Sequence, residues 1–403
     1  MKALVLKLEK IAGFLQKVTI NPDFRPQIHE VIDLEEIPEF NLINENWVKI
    51  KVKLGGICGS DLNTLSINVS PTQSVFASFP AVMGHEIVGT VVEIGINVKN
   101  ISVGDRVVVE PILPCEVREI EPCFSCEAGK YHLCSKQDQG LLSPGQFIGG
   151  CKDTGGGWGE YVLAHKSRIF KIPDSISFAE ALMIEPLAVA IHGIFKKLPK
   201  ADDDCLVIGC GTIGLLSIVA LNSFAECNII ASAKYPFQAE LAKQFGANDV
   251  FIVKKDRHIK KIGKKLGSRI LSPVMDDAYP VGGGADIVID SVGNSSSIMN
   301  SVRLIKDQGT IILIGVPAKE IVDWTPMVLK ECEIISSHIY SFEEYRGKKK
   351  RTFQMAIDLI ASGKYNFEKF LTHKFSIRDY KKALNIASNK AQFQSIKTAF
   401  TFE

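Results

Sequence analysis

The chain has 403 residues, 46% of them hydrophobic, and a formal net charge of +2. That length supports a large core and two or three domains, and so balanced a charge gives no general reason to expect nucleic acid or an acidic membrane as partner. The start, MKALVLKLEKIAGFLQK, lacks a signal-peptide pattern and no apolar run is long enough to span a bilayer, so a reducing cytoplasm is expected, where clustered cysteines read as metal ligands rather than disulfides.

The first part, to about Pro186, is rich in Gly, Pro and short β-type runs. WVKIKVKLGGI, EIVGTVVEIG and GDRVVVEPI read as strands broken by turns. From there the texture changes. CLVIGCGTIGLLSIVALNSF reads as strand, glycine turn and apolar helix. NIIASA is a second strand, PFQAELAKQFGA a helix ending near Gly246, and ADIVIDSVG and TIILIGVP are further strands. Strands alternating with helices predict a parallel, doubly wound sheet. The helix around Pro186–Lys197 reads as the linker into this second domain. The tail from Ser336 mixes a helix, RTFQMAIDLIASGK, with strand-like ends that pack back on the first domain. Two basic stretches, Lys254–Arg269 and Lys348–Arg351, read as solvated segments, since a nucleic-acid patch needs more such runs and aromatic residues among them.

Four cysteines, Cys115, Cys123, Cys126 and Cys134, lie in one loop-like stretch. Four thiolates can close a tetrahedral Zn²⁺ site with no open position, which holds structure and does no chemistry. Cys151, Cys205, Cys210, Cys227 and Cys332 are scattered and read as small buried hydrophobes. A second, open metal site is expected among GGICGSD (Cys58, Ser60, Asp61), GHEIVG (His85, Glu86) and MIEPLAVAIH (Glu185, His192). One thiolate, one imidazole and one carboxylate suit zinc and leave a fourth position for water or substrate.

Gly209, Gly211 and Gly214 form GCGTIG between a strand and a helix. In that context the first glycine makes the turn, the second admits a pyrophosphate, and the third packs helix on strand. The phosphates then meet the helix N-terminus near Thr212 and Ile213. Position 233, where an acidic partner for the ribose of NAD is expected, is Ala, with Ser232 before it and Lys234 after. An Asp there would repel a 2′-phosphate by about 4 kcal/mol at ~4 Å and an effective ε of about 20, whereas Lys attracts it. NADP is therefore favoured over NAD.

The ordered set Cys58–Gly59–Ser60–Asp61, Gly84–His85–Glu86, the four-cysteine loop and the glycine turn resembles the zinc-dependent medium-chain dehydrogenase/reductases over nearly the whole chain. Glu185–Pro186 tilts the resemblance toward the sorbitol, threonine and glucose dehydrogenase branch. It implies an α/β protein with a GroES-like, β-rich catalytic domain (1–186, carrying the zinc loop 115–134), a Rossmann NAD(P)-binding domain (187–335) and a returning C-terminal segment (336–403), with the active site in the cleft. It also implies two zinc ions per chain, one catalytic and one structural. Cys58 and His85 would hold the catalytic zinc, with Glu86 or Glu185 as third ligand and no choice between them. Ser60 would relay a proton, Asp61 would orient a ligand, and Ser291 and Gly315 would join the cofactor-binding set.

The reaction implied is interconversion of an alcohol (secondary alcohol, polyol, sugar or amino alcohol) and its carbonyl by hydride transfer with NADP(H), in a homodimer or homotetramer. The rivals are an NAD-dependent polyol- or threonine-type dehydrogenase, a zinc-independent enone or quinone reductase, which would lack the Cys58–His85 pair, and a non-catalytic binding protein on the same scaffold. The uncharged segment between Asp61 and His85 offers Leu62, Phe76 and Phe79 as an apolar pocket wall or as core.

Three departures from the family pattern stand out. Seven residues, EVREIEP, separate Cys115 from Cys123 where two are usual, and they are expected only to enlarge a loop, leaving Cys115 able to reach the metal. Ala233 replaces the usual acid. The stretch between Phe251 and Ala285 is long enough for an extra surface element, and the region before Trp47, including PDFRPQIHEV, is not explained by the resemblance.

Overall fold

The computed structural model describes residues 1–21, 27–254, 257–274 and 278–402. The chain forms two compact units: Met1–Glu185 together with Phe353–Glu403, and Pro186–Thr352. Residues 336–352 thus stay with the second unit, and the chain returns to the first at Phe353.

The first unit is built on a seven-stranded sheet. Its order runs Leu371–Ser376, Lys397–Thr401, Trp47–Ile57, Ile87–Ile94, Arg106–Val109 and Ile169–Lys171, with Tyr161–His165 also paired to Trp47–Ile57. Alternation of apolar and polar residues in WVKIKVKL explains the long central strand: Val48, Ile50, Val52 and Leu54 are buried while the lysines between them are half-buried. Trp47, Trp158, Val107, Leu163 and Phe400 fill the core. The last strand, Lys397–Thr401, lies antiparallel to the end of the long central strand, with Thr398 opposite Ile57 and Phe400 opposite Gly55. This pairing places Lys397 beside the turn that carries Cys58. A smaller sheet joins Ile32–Glu36, Lys2–Leu6 and Ala81–Val82. In the N-terminal region the resemblance left unexplained, a helix spans Leu8–Ile20, and Ile11 and Phe14 rest on the core; Pro22–Pro26 lie outside the described residues.

The second unit carries six parallel strands in the order Asp249–Ile252, Asn228–Ala233, Asp204–Ile208, Ala285–Asp290, Ile305–Leu313, Glu333–Ser336. Numbered within the unit this is 3-2-1-4-5-6, the Rossmann order, whose ligand crevice lies where strands one and four diverge. GCGTIG follows strand one and Ser291–Gly293 follows strand four. The doubly wound sheet is as expected from the alternating pattern.

Two expectations are corrected. Lys254–Arg269 is not merely a solvated connection. Its Arg257–Lys265 portion is a two-faced helix: Ile259 and Ile262 are in the unit's core, while Lys260, Lys261, Lys264 and Lys265 face water. Lysines at that spacing mark the wet side of a helix as readily as an open loop. The helix and an antiparallel pair, Arg269–Leu271 with Tyr279–Val281, account for the extra length before Ala285. Lys255, Asp256 and 275–277 lie outside the described residues. Cys227 is half-exposed, whereas Cys151, Cys205, Cys210 and Cys332 are buried as expected.

The glycine turn gives a sharp test. A Cβ on Gly214 would stand 1.7 Å from the Gly209 carbonyl oxygen, whereas one on Gly211 would meet nothing within 4 Å. Gly214→Ala should lower stability of the second unit by about 1–3 kcal/mol or more, read as a shift in the urea midpoint. Gly211→Ala should stay within about 0.5 kcal/mol of the parent in the same measurement.

Candidate metal and nucleotide sites

In the first unit, Cys58 ends the long central strand and caps the short helix Gly59–Leu65. His85 and Glu86 immediately precede the neighbouring strand, Ile87–Ile94. Antiparallel pairing of these strands brings the two motifs together: Gly56 N–H donates to the Glu86 carbonyl at 2.9 Å, and Gly55 lies opposite Ile87. One ligand atom each of Cys58, His85 and Glu86 lies within 4.8 Å of the others.

Asp61, buried in the first turn of the helix, braces both ends of this group. Its Oδ2 accepts from the Cys58 N–H at 2.8 Å and its Oδ1 lies 3.3 Å from His85 Nδ1. Burial disfavours a charged His85, but the carboxylate of Asp61, with help from the Cys58 sulfur, holds its pKa well above the usual value. The same carboxylate fixes which imidazole nitrogen faces away from it.

Glu86 is fully buried, and its Oε1 accepts from Lys397 Nζ at 2.6 Å. Its Oε2 is buried with no hydrogen-bond partner. Lys397 is buried too, and although desolvation works against its charge, Glu86, Cys58 and Glu185 keep its pKa raised. A buried carboxylate with an orphaned oxygen beside a sulfur and an imidazole is chemically suited to a divalent metal, because the metal would satisfy the oxygen that no donor reaches.

Glu185 is buried in the first turn of the Ile184–Phe195 helix and is not among the converging ligand atoms. Ser60 lies exposed in the first turn of the Gly59–Leu65 helix. His192 Nδ1 is bonded to Glu343 in the second unit. Leu62 and Phe79 pack against the core, whereas Phe76 is exposed. Lys397 was not singled out from the sequence. A lysine opening the otherwise apolar, buried run KTAF was its only signal. Phe147, whose ring lies 6.2 Å from that of His85, gave no signal at all.

The four-cysteine loop is closed on itself. Among the described residues Cys115, Cys123, Cys126 and Cys134 form the second converging group. The Cys115–Cys134 and Cys123–Cys134 sulfurs are 3.5 and 4.0 Å apart. Bonds of about 2.3 Å to a tetrahedral ion predict edges of about 3.8 Å, whereas a disulfide needs about 2.05 Å. Backbone N–H groups of Cys123, Ser135 and Lys136 donate to the sulfurs of Cys115, Cys123 and Cys134. Donation from the Cys126 thiol, together with that of Lys136, lowers the Cys134 pKa to about 5 despite burial, while the Cys126 thiol is raised by the same neighbour. This donor set fits a closed Zn²⁺ site.

The insertion EVREIEP is corrected from an enlarged loop to a packed element. Val117 and Arg118 are fully buried, Glu116 pairs with Arg168 at 2.9 Å, and Glu119 accepts from Asn44 and Asn46. Apolar Val117 and Ile120 alternate with charged residues, which lets the segment fold back on the body of the unit.

In the second unit Gly209 has φ +88°, and a Cβ there would press on Val292 and Ser291. The Ser291 hydroxyl donates toward the carbonyls of Ile208 and Gly209 at 2.9 and 2.7 Å. Gly315 backs this turn, since its Cβ would collide with the Val292 backbone. The Thr212–Phe224 helix starts from Gly211 with no side-chain cap hydrogen bond, and its N-terminus is the kind of helix end whose dipole favours an anion. Ser232 and Ala233 are buried at the end of the second strand, and Lys234 is exposed with its ammonium 5.6 Å from the Tyr235 ring centre. Among the described residues no helix is long and apolar enough to cross a membrane.

Comparison with known proteins agrees with this chemistry. The alcohol dehydrogenase GroES-like domain family matches residues 44–174, and the zinc-binding dehydrogenase family matches residues 212–362. The chain is 27% identical to sorbitol dehydrogenase of Bombyx mori, over 89% of this chain and 93% of that protein. It is 30% identical to a probable D-xylulose reductase A of Aspergillus clavatus, over 86% of this chain and 87% of that one. Among solved structures, 2R,3R-butanediol dehydrogenase of Bacillus subtilis aligns with a TM-score of 0.72 at 28% identity, covering 94% of this chain and 99% of its own. With its two metal-fitting groups in a GroES-like unit and its glycine turn in a Rossmann unit, the chain belongs to the zinc-dependent medium-chain dehydrogenase/reductases.

Proposed function

We propose that the protein is an NADP(H)-linked, zinc-dependent dehydrogenase that interconverts a polyol or secondary alcohol and its ketone. The observation that carries this reading is the convergence of Cys58, His85 and Glu86, with one Glu86 oxygen buried and unpartnered. The relatives named above act on sorbitol, xylulose and butanediol, which supports a small polyhydroxylated or vicinal-diol substrate.

Cys58, His85 and Glu86 would hold the catalytic zinc, in preference to Glu185, whose ligand atoms do not converge with theirs. Cys115, Cys123, Cys126 and Cys134 would hold the structural zinc. When bound, the catalytic zinc supplies Lewis-acid polarisation of an alcohol or carbonyl oxygen, and the nicotinamide supplies the hydride acceptor or donor. The protein's own contributions are placement and charge. Asp61 holds the His85 ring and the Cys58 backbone, limiting drift of either donor. Lys397 pairs with Glu86 and occupies only one of its oxygens. Ser60 would pass a proton to solvent, a role its exposure two residues from Cys58 supports. Ala233 and Lys234 favour a 2′-phosphate: the first removes a carboxylate, the second offers a cation.

Three outcomes follow. Purified protein should carry two zinc ions per chain by elemental analysis, and Cys58→Ser should retain one and lose turnover; an active Cys58→Ser protein sinks the reading. The ratio of kcat/KM for NADP over NAD should exceed one, Lys234→Ala should lower it about tenfold (~1.4 kcal/mol), and Ala233→Asp should invert it. Lys397→Met should destabilise the metal-free protein by about 3–5 kcal/mol, because it strands a buried carboxylate, and adding Glu86→Gln should recover much of the loss. Unchanged melting in the single variant would remove the ion pair from this account.

A further inference from the structure

Arg118 stands in the insertion between Cys115 and Cys123, and its side chain is completely buried. A guanidinium has five N–H groups. Each of its five hydrogen bonds ends on a backbone carbonyl. Nε donates to Leu113 at 3.1 Å, Nη1 to Gln139 and Leu142 at 2.9 Å each, and Nη2 to Ser143 at 3.1 Å and Gly145 at 2.7 Å. The Arg118 carbonyl in turn accepts from Leu141 N–H at 3.1 Å. No carboxylate bonds to it among the described residues, and Asp138 and Asp153 act on it only through space. A buried cation held entirely by carbonyls is tolerable only because every donor is used. The converse also holds: without it, five carbonyls of the 113 and 139–145 backbone lose their shared donor.

That backbone continues directly to the metal-fitting group. Gln146 carbonyl accepts from Leu113 N–H at 3.0 Å, and Ile148 N–H donates to Pro111 at 2.8 Å. Between them the Phe147 ring lies against the His85 ring, centroids 6.2 Å apart and planes at 33°. Gly149, at φ +96°, sits so close to Gly84 that a Cβ would be 2.6 Å from its carbonyl oxygen. Residues 139–149 therefore form a strap, pinned at one end by Arg118 and resting at the other on His85 and the residue before it.

We infer that Arg118 is a positioning residue for the open metal site, acting through the 139–149 strap and Phe147 to hold the His85 ring in its ligating orientation. The inference rests on the reading that Cys58, His85 and Glu86 hold zinc. It makes the insertion, rather than the cysteines beside it, the link between the four-cysteine loop and the reacting centre.

The test is the rate of zinc release to a chromogenic chelator, followed in the whole protein. Cys58→Ser first identifies which release phase belongs to the open site; if it removes neither phase, the underlying zinc assignment fails, whatever Arg118 does. With the phase identified, Arg118→Met and Arg118→Lys should speed release from the open site about 10–100-fold, the usual cost of removing a group that orients a metal ligand. Lysine keeps the charge but has only three donors for five carbonyls, so it should not rescue. Phe147→Ala should give the same acceleration, and the Arg118→Met/Phe147→Ala protein no more than Phe147→Ala alone. Val107→Ala, a buried change elsewhere in the same unit, serves as the control for lost stability. If the Arg118 variants release the open-site zinc no faster than Val107→Ala at equal loss of melting temperature, Arg118 is structural only. If Arg118→Met does not fold, an unchanged release rate in Phe147→Ala overturns the inference by itself.

Discussion

Lys397 and Glu86, 311 positions apart in the chain, form an ion pair, and both are sealed from water. Bringing two charges into a protein interior costs more than their attraction returns unless the remaining lone pairs are also used. Here one carboxylate oxygen is left over, at the point where Cys58 and His85 converge. The lysine occupies one carboxylate oxygen and the other is reached by no donor, an arrangement that a divalent cation would suit. The pairing of the last strand with the end of the long central strand exists at the same place, so the C-terminal segment is part of the site and not an appendage to it.

Around that pair, rigidity is distributed over groups that do not themselves face a metal. Asp61 ties a backbone N–H at one ligand to a ring nitrogen at another. The Phe147 ring lies near that of His85, and the strap that carries it is held by Arg118. The four-cysteine loop, by contrast, is self-contained. Its sulfurs are spaced for a tetrahedral ion and are fed by backbone N–H groups from its own turn. The two metal-fitting groups differ in their donors: one offers sulfur alone, the other a mixed donor set with an orphaned oxygen.

The second unit solves a separate problem with backbone alone. Gly209 turns with positive φ, Gly214 lets the helix touch the strand, and Gly211 leaves open space at the start of a helix that has no side-chain cap. Ser291 spends its hydroxyl on the turn's carbonyls and Gly315 presses from behind, so these two shape the turn from the neighbouring strands.

Much of this was legible in the chain itself. Period-two alternation named the Trp47–Ile57 strand, and strand–helix alternation named the parallel sheet, because each reports which face of a local element is buried. The cysteine spacings and the glycine turn were legible for a related reason: their geometry is set by neighbours only a few residues away. What local pattern could not give was decided by tertiary structure. A run of lysines at Arg257–Lys265 looks the same whether its isoleucines are buried or not. The seven-residue insertion looked like slack until Val117 and Arg118 were seen inside the core. The sequence determined that two metal-suited groups and a dinucleotide turn exist. Only the folded chain decided that Glu86 rather than Glu185 converges with Cys58 and His85, and that Lys397 and Phe147 stand beside them. Those choices depend on strand pairings and straps that join residues far apart in sequence, and no local periodicity records them.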